Sequence, residues 1–274
     1  MSGASTQHVE ASLSSPTVSS HNPNGNPQLT VFLPVYNEAG SIAEVLRGFY
    51  SEVVRPLGAQ LLVCEDGSSD GSPEVLERVS REIPMRLITS RVRKGYAGAM
   101  RDGLNRADTP LVFIADSDGQ YEPSEFWKIW NAADGYDMVI GRKIVRQEAF
   151  YRALLSRGFH LLIKALTNVP LRDMDCGFRL IRRDLITKVL PEVRSLRYSF
   201  LAEFSIVAYR KGFRILEVPV IHRARISGST SIYSWNRLPW IIIYQVTGIL
   251  RLARRLNRLS ATGQKESTHQ TTRS

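Results

Sequence analysis

Three short apolar runs, each followed closely by acidic residues, constrain the fold of this chain more than any other feature. The runs are LTVFLPV at 29–35, QLLVC at 60–64 and LVFI at 111–114. Runs of this length and composition are typical of strands buried on both faces of a parallel sheet. Helix-like stretches separate them, so strands and helices alternate across residues 29–220. The pattern predicts an α/β fold in a single domain, with a mostly parallel central sheet flanked by helices.

The acidic residues after these runs are predicted to meet at one edge of the sheet. Glu38 follows the first run, Asp66 the second, and Asp116 and Asp118 the third. In open α/β sheets, ligands bind beyond the carboxyl ends of the strands. Carboxylates there suit Mg²⁺ or Mn²⁺, which prefer oxygen ligands and share their shell with substrate phosphates. Asp-x-Asp therefore indicates a metal and diphosphate site, and an ordinary Asp-Ser-Gly turn is the alternative.

Seven segments, in this order along the chain, resemble a known family. They are FLPVYNE at 32–38, VCEDGSSDGS at 63–72, RKGYAGAMRDGL at 93–104, IADSDGQYEP at 114–123, DMVIGRK at 137–143, DCGFRLIRRD at 175–184 and GFRILEVPV at 212–220. Together they resemble the inverting nucleotide-sugar glycosyltransferases of family 2, and within them the polyprenyl-phosphate and dolichol-phosphate sugar transferases. The resemblance implies a Rossmann-like GT-A domain over 29–232. It also implies transfer of a sugar from a GDP- or UDP-sugar, such as GDP-mannose or UDP-glucose, to polyprenyl or dolichyl phosphate.

On the donor side, the resemblance and the residue types together indicate a set of nucleotide-sugar-binding residues. These are Pro34, Tyr36, Glu38, Asp66, Lys94, Gly95, Asp116, Arg142 and Arg225. A tyrosine can pack on a base or ribose, and a carboxylate accepts hydrogen bonds from a base N–H or a ribose hydroxyl. The loop at 93–98 leads into a predicted helix, and the start of a helix favours a bound anion. The alternative is an ordinary helix start with no role in binding. The family's metal ligands map onto Asp118 and Gln120, with Asp116 facing the ribose or the metal, so Mg²⁺ or Mn²⁺ is the expected cofactor.

The candidates for catalysis or acceptor positioning are Asp118, Asp175, Arg179 and Glu203. Arg142 and Arg179 suit phosphate binding, because a guanidinium stays charged and can donate two parallel hydrogen bonds. The alternative is that either arginine simply pairs with a nearby aspartate. Asp175 either serves the acceptor or begins a helix. By resemblance, Glu203 occupies the region where hydroxyl-using relatives carry their base. It either positions the acceptor or pairs with Arg179 or Arg225, and we favour the structural role.

A phosphate acceptor relaxes the need for a catalytic base, because a phosphate monoester is already mostly ionised near neutral pH. The expected reaction is a direct displacement that inverts the anomeric carbon. Two alternatives remain. In one, the acceptor is a hydroxyl of a glycan, a lipid or a small molecule, with Glu203 or Asp175 as the base. In the other, the chain is a non-catalytic nucleotide-sugar-binding protein.

One departure from the family pattern bears on these alternatives. Relatives often carry an Arg-x-x-Gly-x-Ser-Lys segment, and here the stretch from Arg225 to Ser231 reads RISGSTS, so a serine replaces the lysine. The loss slightly favours a non-catalytic binder. The retained metal and phosphate groups, Asp66, Asp116, Asp118, Gln120 and Arg179, weigh against it.

Residues 233–259 are predicted to form an amphipathic helix at a membrane surface. The uncharged stretch at 238–250 would extend about 20 Å as a helix, short of a hydrocarbon core of about 30 Å. Aromatic residues precede it and arginines follow it, which is typical of a helix lying at the interface of an anionic membrane. The alternative is a core-packed or dimer-forming helix, and the oligomeric state is not predicted.

Charge and cysteine content favour a cytoplasmic protein at a membrane over a nucleic-acid-binding one. The net charge of +10 comes with no RNP, zinc or helix-turn-helix pattern. Two cysteines, Cys64 and Cys176, form no disulfide framework, which suits a reducing compartment. We expect peripheral association with the inner face of the cell membrane. Residues 1–28 and 260–274 are predicted to be disordered tails.

Overall fold

Seven strands form one sheet in the computed structural model, which describes residues 27–144, 158, 161–223 and 238–271 and, in the last helix, the side chains of 240–257. The strands are β1 Leu29–Val35, β2 Gln60–Glu65, β3 Arg86–Thr89, β4 Leu111–Ile114, β5 Met138–Lys143, β6 Arg179–Arg182 and β7 Ile215–Val220. Their order in the sheet is β3-β2-β1-β4-β6-β5-β7. Only β6 runs antiparallel to its neighbours, β4 and β5. The predicted α/β fold with a mostly parallel sheet is confirmed.

Helices connect the strands and cover both faces of the sheet. They are α1 Ile42–Phe49, continued by a π-helical turn Tyr50–Val54 and by α2 Arg55–Leu57, then α3 Ser72–Ser80, α4 Tyr96–Arg106, α5 Phe126–Asn131, α6 at 161–167, α7 Arg183–Val189, α8 Phe200–Arg210 and α9 Leu238–Thr271. All residues of β1 and β4 are buried, as their apolar sequences require. Phe113 of β4 packs edge-to-face against Phe126 and Phe178, with ring centroids 4.8 Å apart in each pair.

The strand register brings distant loops to one edge of the sheet. Phe32 of β1 lies opposite Leu62 of β2 on one side and Ile114 of β4 on the other. The loops after these three parallel strands therefore leave the sheet at the same edge. Because β6 runs the other way, the segment that precedes it, residues 174–178, arrives at that edge from the opposite direction.

Helix α9 packs one face against the domain. Ile249, Leu252 and Leu256 on this face are buried in the main apolar core. The backbone stays helical to Thr271, so the helix continues past the predicted boundary at residue 259 into the predicted disordered tail at 260–274. Residues 1–26, most of the predicted N-terminal tail, lie outside the described residues. Among the described helices, none has a stretch long and apolar enough to span a bilayer.

Candidate functional site

Asp116 and Asp118 lie in the loop that follows β4, at the carboxyl edge of the sheet. Ser117 between them is buried, and its hydroxyl donates to the Pro34 carbonyl at the end of β1 (2.8 Å). Asp118 accepts the Gln120 N–H (3.1 Å), and the Tyr96 hydroxyl donates to Asp116 (3.4 Å). Burial, and then the negative charge of Asp118, raise the pKa of the Asp116 carboxyl to about 6. The two carboxylates repel each other in a poorly solvated place.

This pair, which we term the acidic cluster, fits a divalent cation. A cation beside the two carboxylates would offset the repulsion that raises the pKa of Asp116. A Cβ atom at Gly177 would lie 2.2 Å from the Asp116 carboxylate oxygens, so the backbone of the 174–178 segment lies directly against this carboxylate. The described residues contain no group of three or more His, Cys, Asp or Glu placed to hold a metal. The two carboxylates would therefore share the ion with water or substrate phosphate, as is common for Mg²⁺.

Gln120, the third predicted metal ligand, is tied to the segment that enters the region 224–237. Its side-chain amide donates to the Arg223 carbonyl (2.9 Å), and its own carbonyl accepts the Arg223 N–H (2.8 Å). These bonds fix the backbone of Arg223 against Gln120, two residues after Asp118. Metal binding by Gln120 stays a prediction, as does nucleotide binding by Arg225, which lies outside the described residues.

Hydrogen bonds join the loops after β1 and β2, which carry Tyr36, Glu38 and Asp66. The Asn37 side chain accepts the Ser69 N–H (2.9 Å), and the Asn37 N–H donates to the Ser68 hydroxyl (2.9 Å). Asn37 has a positive φ of 54°, a conformation that asparagine tolerates better than most residues. Glu38 is buried and accepts the Ser41 hydroxyl at the start of α1 (3.2 Å).

Asp66 holds the loop that leads into α4. Its two carboxylate oxygens accept the N–H groups of Lys94 and Gly95, each at 2.8 Å. Gly95 has a φ of 81°, which favours glycine. The Lys94 ammonium forms an ion pair with Asp102, eight residues further along the chain, so the structure gives it a partner within α4. The geometry thus supports Asp66 as an anchor of this loop, and its contact with a nucleoside stays a prediction.

Two cations near the site were not indicated by the sequence. The Arg93 guanidinium lies 3.8 Å above the centre of the Tyr36 ring, a cation–π contact on the side chain predicted to pack on the nucleoside. Lys143, at the end of β5, lies close enough to Asp116 for its charge to oppose the rise of that pKa. Arg142, the donor-binding residue predicted from the sequence, precedes Lys143 in the same strand and lies opposite Pro219 of β7. Such contacts depend on how loops fold, and no local pattern in the sequence signals them.

Asp175 and Arg179 are both bonded to α8. Asp175 accepts the N–H of Ala202 in the first turn of this helix (3.1 Å), so it bonds to the start of a helix that is distant in sequence, whereas none of the described helices begins at Asp175 itself. The Arg179 side chain is fully buried, with 0% exposed, and it donates to the carbonyls of Met174 (2.8 Å) and Cys176 and to the Ser205 hydroxyl (2.9 Å). A guanidinium engaged in this way is not open to a phosphate. Its surroundings favour a structural role over the phosphate contact predicted for it.

Glu203 is fully buried as well, and its surroundings favour the structural role over a catalytic one. Its carboxylate accepts the N–H groups of Arg194 (3.0 Å), Ser195 (2.7 Å) and Leu196 (2.7 Å). Its charged partner is Arg255 of α9 (3.0 Å) and not Arg179, and the alternative pairing with Arg225 lies outside the described residues.

The comparisons with known proteins agree with this geometry. The model of the family described as glycosyl transferase family 2 matches residues 30–190. The undecaprenyl-phosphate 4-deoxy-4-formamido-L-arabinose transferases of Salmonella paratyphi B and Salmonella newport are each 30% identical to this chain over 216 residues. The match covers 77% of this chain and 64% of each relative, so the chain spans a little under two thirds of their length.

Solved structures share the fold. Glucosyl-3-phosphoglycerate synthase from Mycobacterium tuberculosis, in complex with Mn²⁺, uridine diphosphate and phosphoglyceric acid, has a TM-score of 0.62 at 18% identity and covers 82% of this chain and 78% of its own. Its complex with Mn²⁺, UDP-glucose and phosphoglyceric acid gives 0.60 at 17% identity, with 82% and 79% covered. The likeness confirms the predicted GT-A fold. Because the family model matches more than half of the residues, this chain belongs to glycosyl transferase family 2.

Proposed function

We propose that this protein transfers a sugar from a nucleotide-sugar donor to a polyprenyl phosphate, with a divalent cation bound at the acidic cluster. The observation that carries the proposal is the meeting of Asp116 and Asp118 with the donor-side loops and the 174–178 segment at one sheet edge. The relatives are named for transfer to undecaprenyl phosphate. Structures with the same fold hold Mn²⁺ with uridine diphosphate, which supports a metal.

The environments of Asp175 and Glu203 favour a phosphate acceptor over a hydroxyl. Both carboxylates are engaged with backbone N–H groups, and Glu203 also pairs with Arg255. A hydroxyl acceptor would need one of them as a base, whereas a phosphate oxygen attacks without losing a proton. In the proposed step, this oxygen bonds to the anomeric carbon while the bond from that carbon to the nucleoside diphosphate breaks. The cation would supply positive charge for the leaving diphosphate.

We place the protein peripherally on the inner, cytoplasmic face of the membrane, with α9 at the lipid surface. Trp240 is 74% exposed and Ile243 is 53% exposed on this helix. Arg251 and Arg254 are exposed about two to four turns further along. Apolar side chains beside arginines suit an interface with anionic lipids. On the opposite face of α9, Ile249 and Leu252 are buried in the core, so the proposal assigns only the exposed face of the helix to lipid.

The test is transfer of labelled sugar from a panel of GDP- and UDP-sugars into lipid, with polyprenyl phosphate and Mg²⁺ or Mn²⁺ supplied. We expect one donor to give metal-dependent lipid label, and Asp118→Asn to lower its rate at least about 100-fold because a metal ligand loses its charge. Asp108→Asn is the matched control, because Asp108 is exposed and its ion pair with Arg86 is a long surface contact of 3.9 Å. Nucleotide binding without lipid label from any donor would overturn the proposal in favour of a hydroxyl acceptor or a non-catalytic binder.

A further inference from the structure

Helix α8 is bonded both to the C-terminal helix and to the segment that lies against the acidic cluster. Along most of its length α8 has no solvent-exposed face, because nine consecutive residues from Phe200 to Ala208 are buried. Two of these buried residues, Glu203 and Ser205, are polar and fully enclosed. Buried polar groups of this kind are costly unless they are bonded, so their partners define what the helix holds in place.

On one side, α8 and the loop before it contact α9 at three points. Arg255 forms an ion pair with Glu203 at 3.0 Å. Gln245 donates to the hydroxyl of Ser199, the residue before α8 (2.7 Å). A Cβ atom at Gly248 would lie 2.7 Å from the Ser195 carbonyl oxygen, so the helix backbone is in close contact with this loop. Glu203 binds the same loop through the N–H groups of residues 194–196, so α9 and the loop share one buried carboxylate.

On the other side, α8 holds the 174–178 segment. Its Ala202 N–H donates to Asp175. Its Ser205 hydroxyl accepts from Arg179 and lies within hydrogen-bonding distance of two carbonyls, those of Met174 (2.9 Å) and Leu201 (2.8 Å). Arg179 in turn donates to the Cys176 carbonyl (2.7 Å). The next residue, Gly177, is the one that lies against Asp116. A continuous set of short contacts therefore links α9 to the acidic cluster.

We propose that Arg255, acting through Glu203, is a positioning residue for the acidic cluster, so that docking of the C-terminal helix sets the place of the 174–178 segment against Asp116. The kinetic test of this proposal rests on the function proposed above, because it measures the transfer reaction. Removing Arg255 leaves a buried carboxylate with no charged partner among the described residues, which favours displacement of Glu203 and of α8. Catalytic geometry is sensitive to displacements well below the size of a side chain.

The first test is hydrogen exchange in the full chain, which needs no substrate. We expect Arg255→Met, which keeps most of the side-chain volume, to speed exchange of the amides at 174–178 about tenfold. Arg255→Lys keeps the charge and is expected to stay within about threefold of the wild type. Lys211→Met is the matched control, because Lys211 caps the same helix and pairs with Glu192 at the surface (2.5 Å). If Arg255→Met does not fold, Arg255→Gln replaces it with the same readouts.

The second test is the kinetics of transfer. Arg255→Met is expected to lower kcat about tenfold while the donor KM changes less than about threefold, with rescue by Arg255→Lys. Faster exchange confined to α9 and residues 194–203, with 174–178 unchanged, would overturn the proposal, and so would an unchanged kcat in the folded variant. Absence of transfer by the wild type would count against the proposed function alone, because the exchange result does not depend on it.

Discussion

The carboxylate of Asp116 has neighbours that leave it little freedom. Tyr96 donates to it, the charge of Asp118 opposes its ionisation, and the backbone of Gly177 lies against it. Any side chain at position 177 would compete with the carboxylate for the same space. The glycine of the Asp-Cys-Gly-Phe segment is therefore needed for close packing, and no positive φ is required there.

We predict that Gly177→Ala impairs the acidic cluster without unfolding the protein. The new methyl group would lie 2.2 Å from the Asp116 oxygens, so the carboxylate has to move. Binding of Mn²⁺, measured by titration calorimetry, is expected to weaken about tenfold or more because a ligand moves by an ångström or so. Gly158→Ala is the control, since within the part of the chain that the structure describes no packed neighbour lies within 4 Å of its added Cβ. Equal Mn²⁺ affinity in both variants would show that Asp116 does not need this position.

At the scale of elements, a glycine sets helix α4 close to strand β1. Gly103 faces the ring of Phe32, and a Cβ atom there would lie 2.1 Å from the nearest ring carbon. Close contact between α4 and the sheet places the start of this helix, with Gly95 and Tyr96, beside Asp66 and Asp116. Packing of one element pair thus determines the position of two loops at the site.

Gly103→Ala is predicted to destabilise the fold. Overpacking in a core costs about 1–3 kcal/mol, and the higher helix propensity of alanine offsets up to about 1 kcal/mol of this. We expect the free energy of unfolding to fall by about 1–2 kcal/mol in urea titrations followed by circular dichroism. Asn105→Ala, at an exposed position of the same helix, is expected to change it by less than about 0.5 kcal/mol. A Gly103→Ala variant as stable as Asn105→Ala would mean that Phe32 repacks without cost.

At the scale of the whole molecule, exposed arginines and exposed apolar side chains lie on the same helix, α9. The chain carries a net charge of +10, and large exposed apolar side chains are concentrated on α9 among the described residues. Tyr198 of the loop before α8 packs edge-to-face on Tyr244, with centroids 5.9 Å apart, and extends this apolar surface onto the domain. This apolar surface is the one on which the proposed membrane contact rests.

Flotation with anionic vesicles tests this surface. Trp240→Ala combined with Ile243→Ala is expected to reduce the floated fraction at least about fivefold, because two large exposed side chains no longer enter the interface. Tyr209→Ala is the control, since Tyr209 is an exposed aromatic residue on another helix, α8. Salt is expected to weaken flotation of the wild type through screening of its arginines. Undiminished flotation of the double variant would exclude this face of α9 as the lipid contact.

Local pattern was enough to predict the sheet and the place of the acidic cluster. The runs 29–35 and 111–114 coincide with β1 and β4, because buried strands need continuous apolar residues and their ends need polar turns. The antiparallel insertion of β6 was not predicted, because strand order is not a local property. The roles of single polar residues were also beyond local pattern. Arg179 bonds to Ser205, 26 positions away, and Glu203 bonds to Arg255, 52 positions away. The burial and the partners of these residues therefore depended on the tertiary packing of α8 and α9.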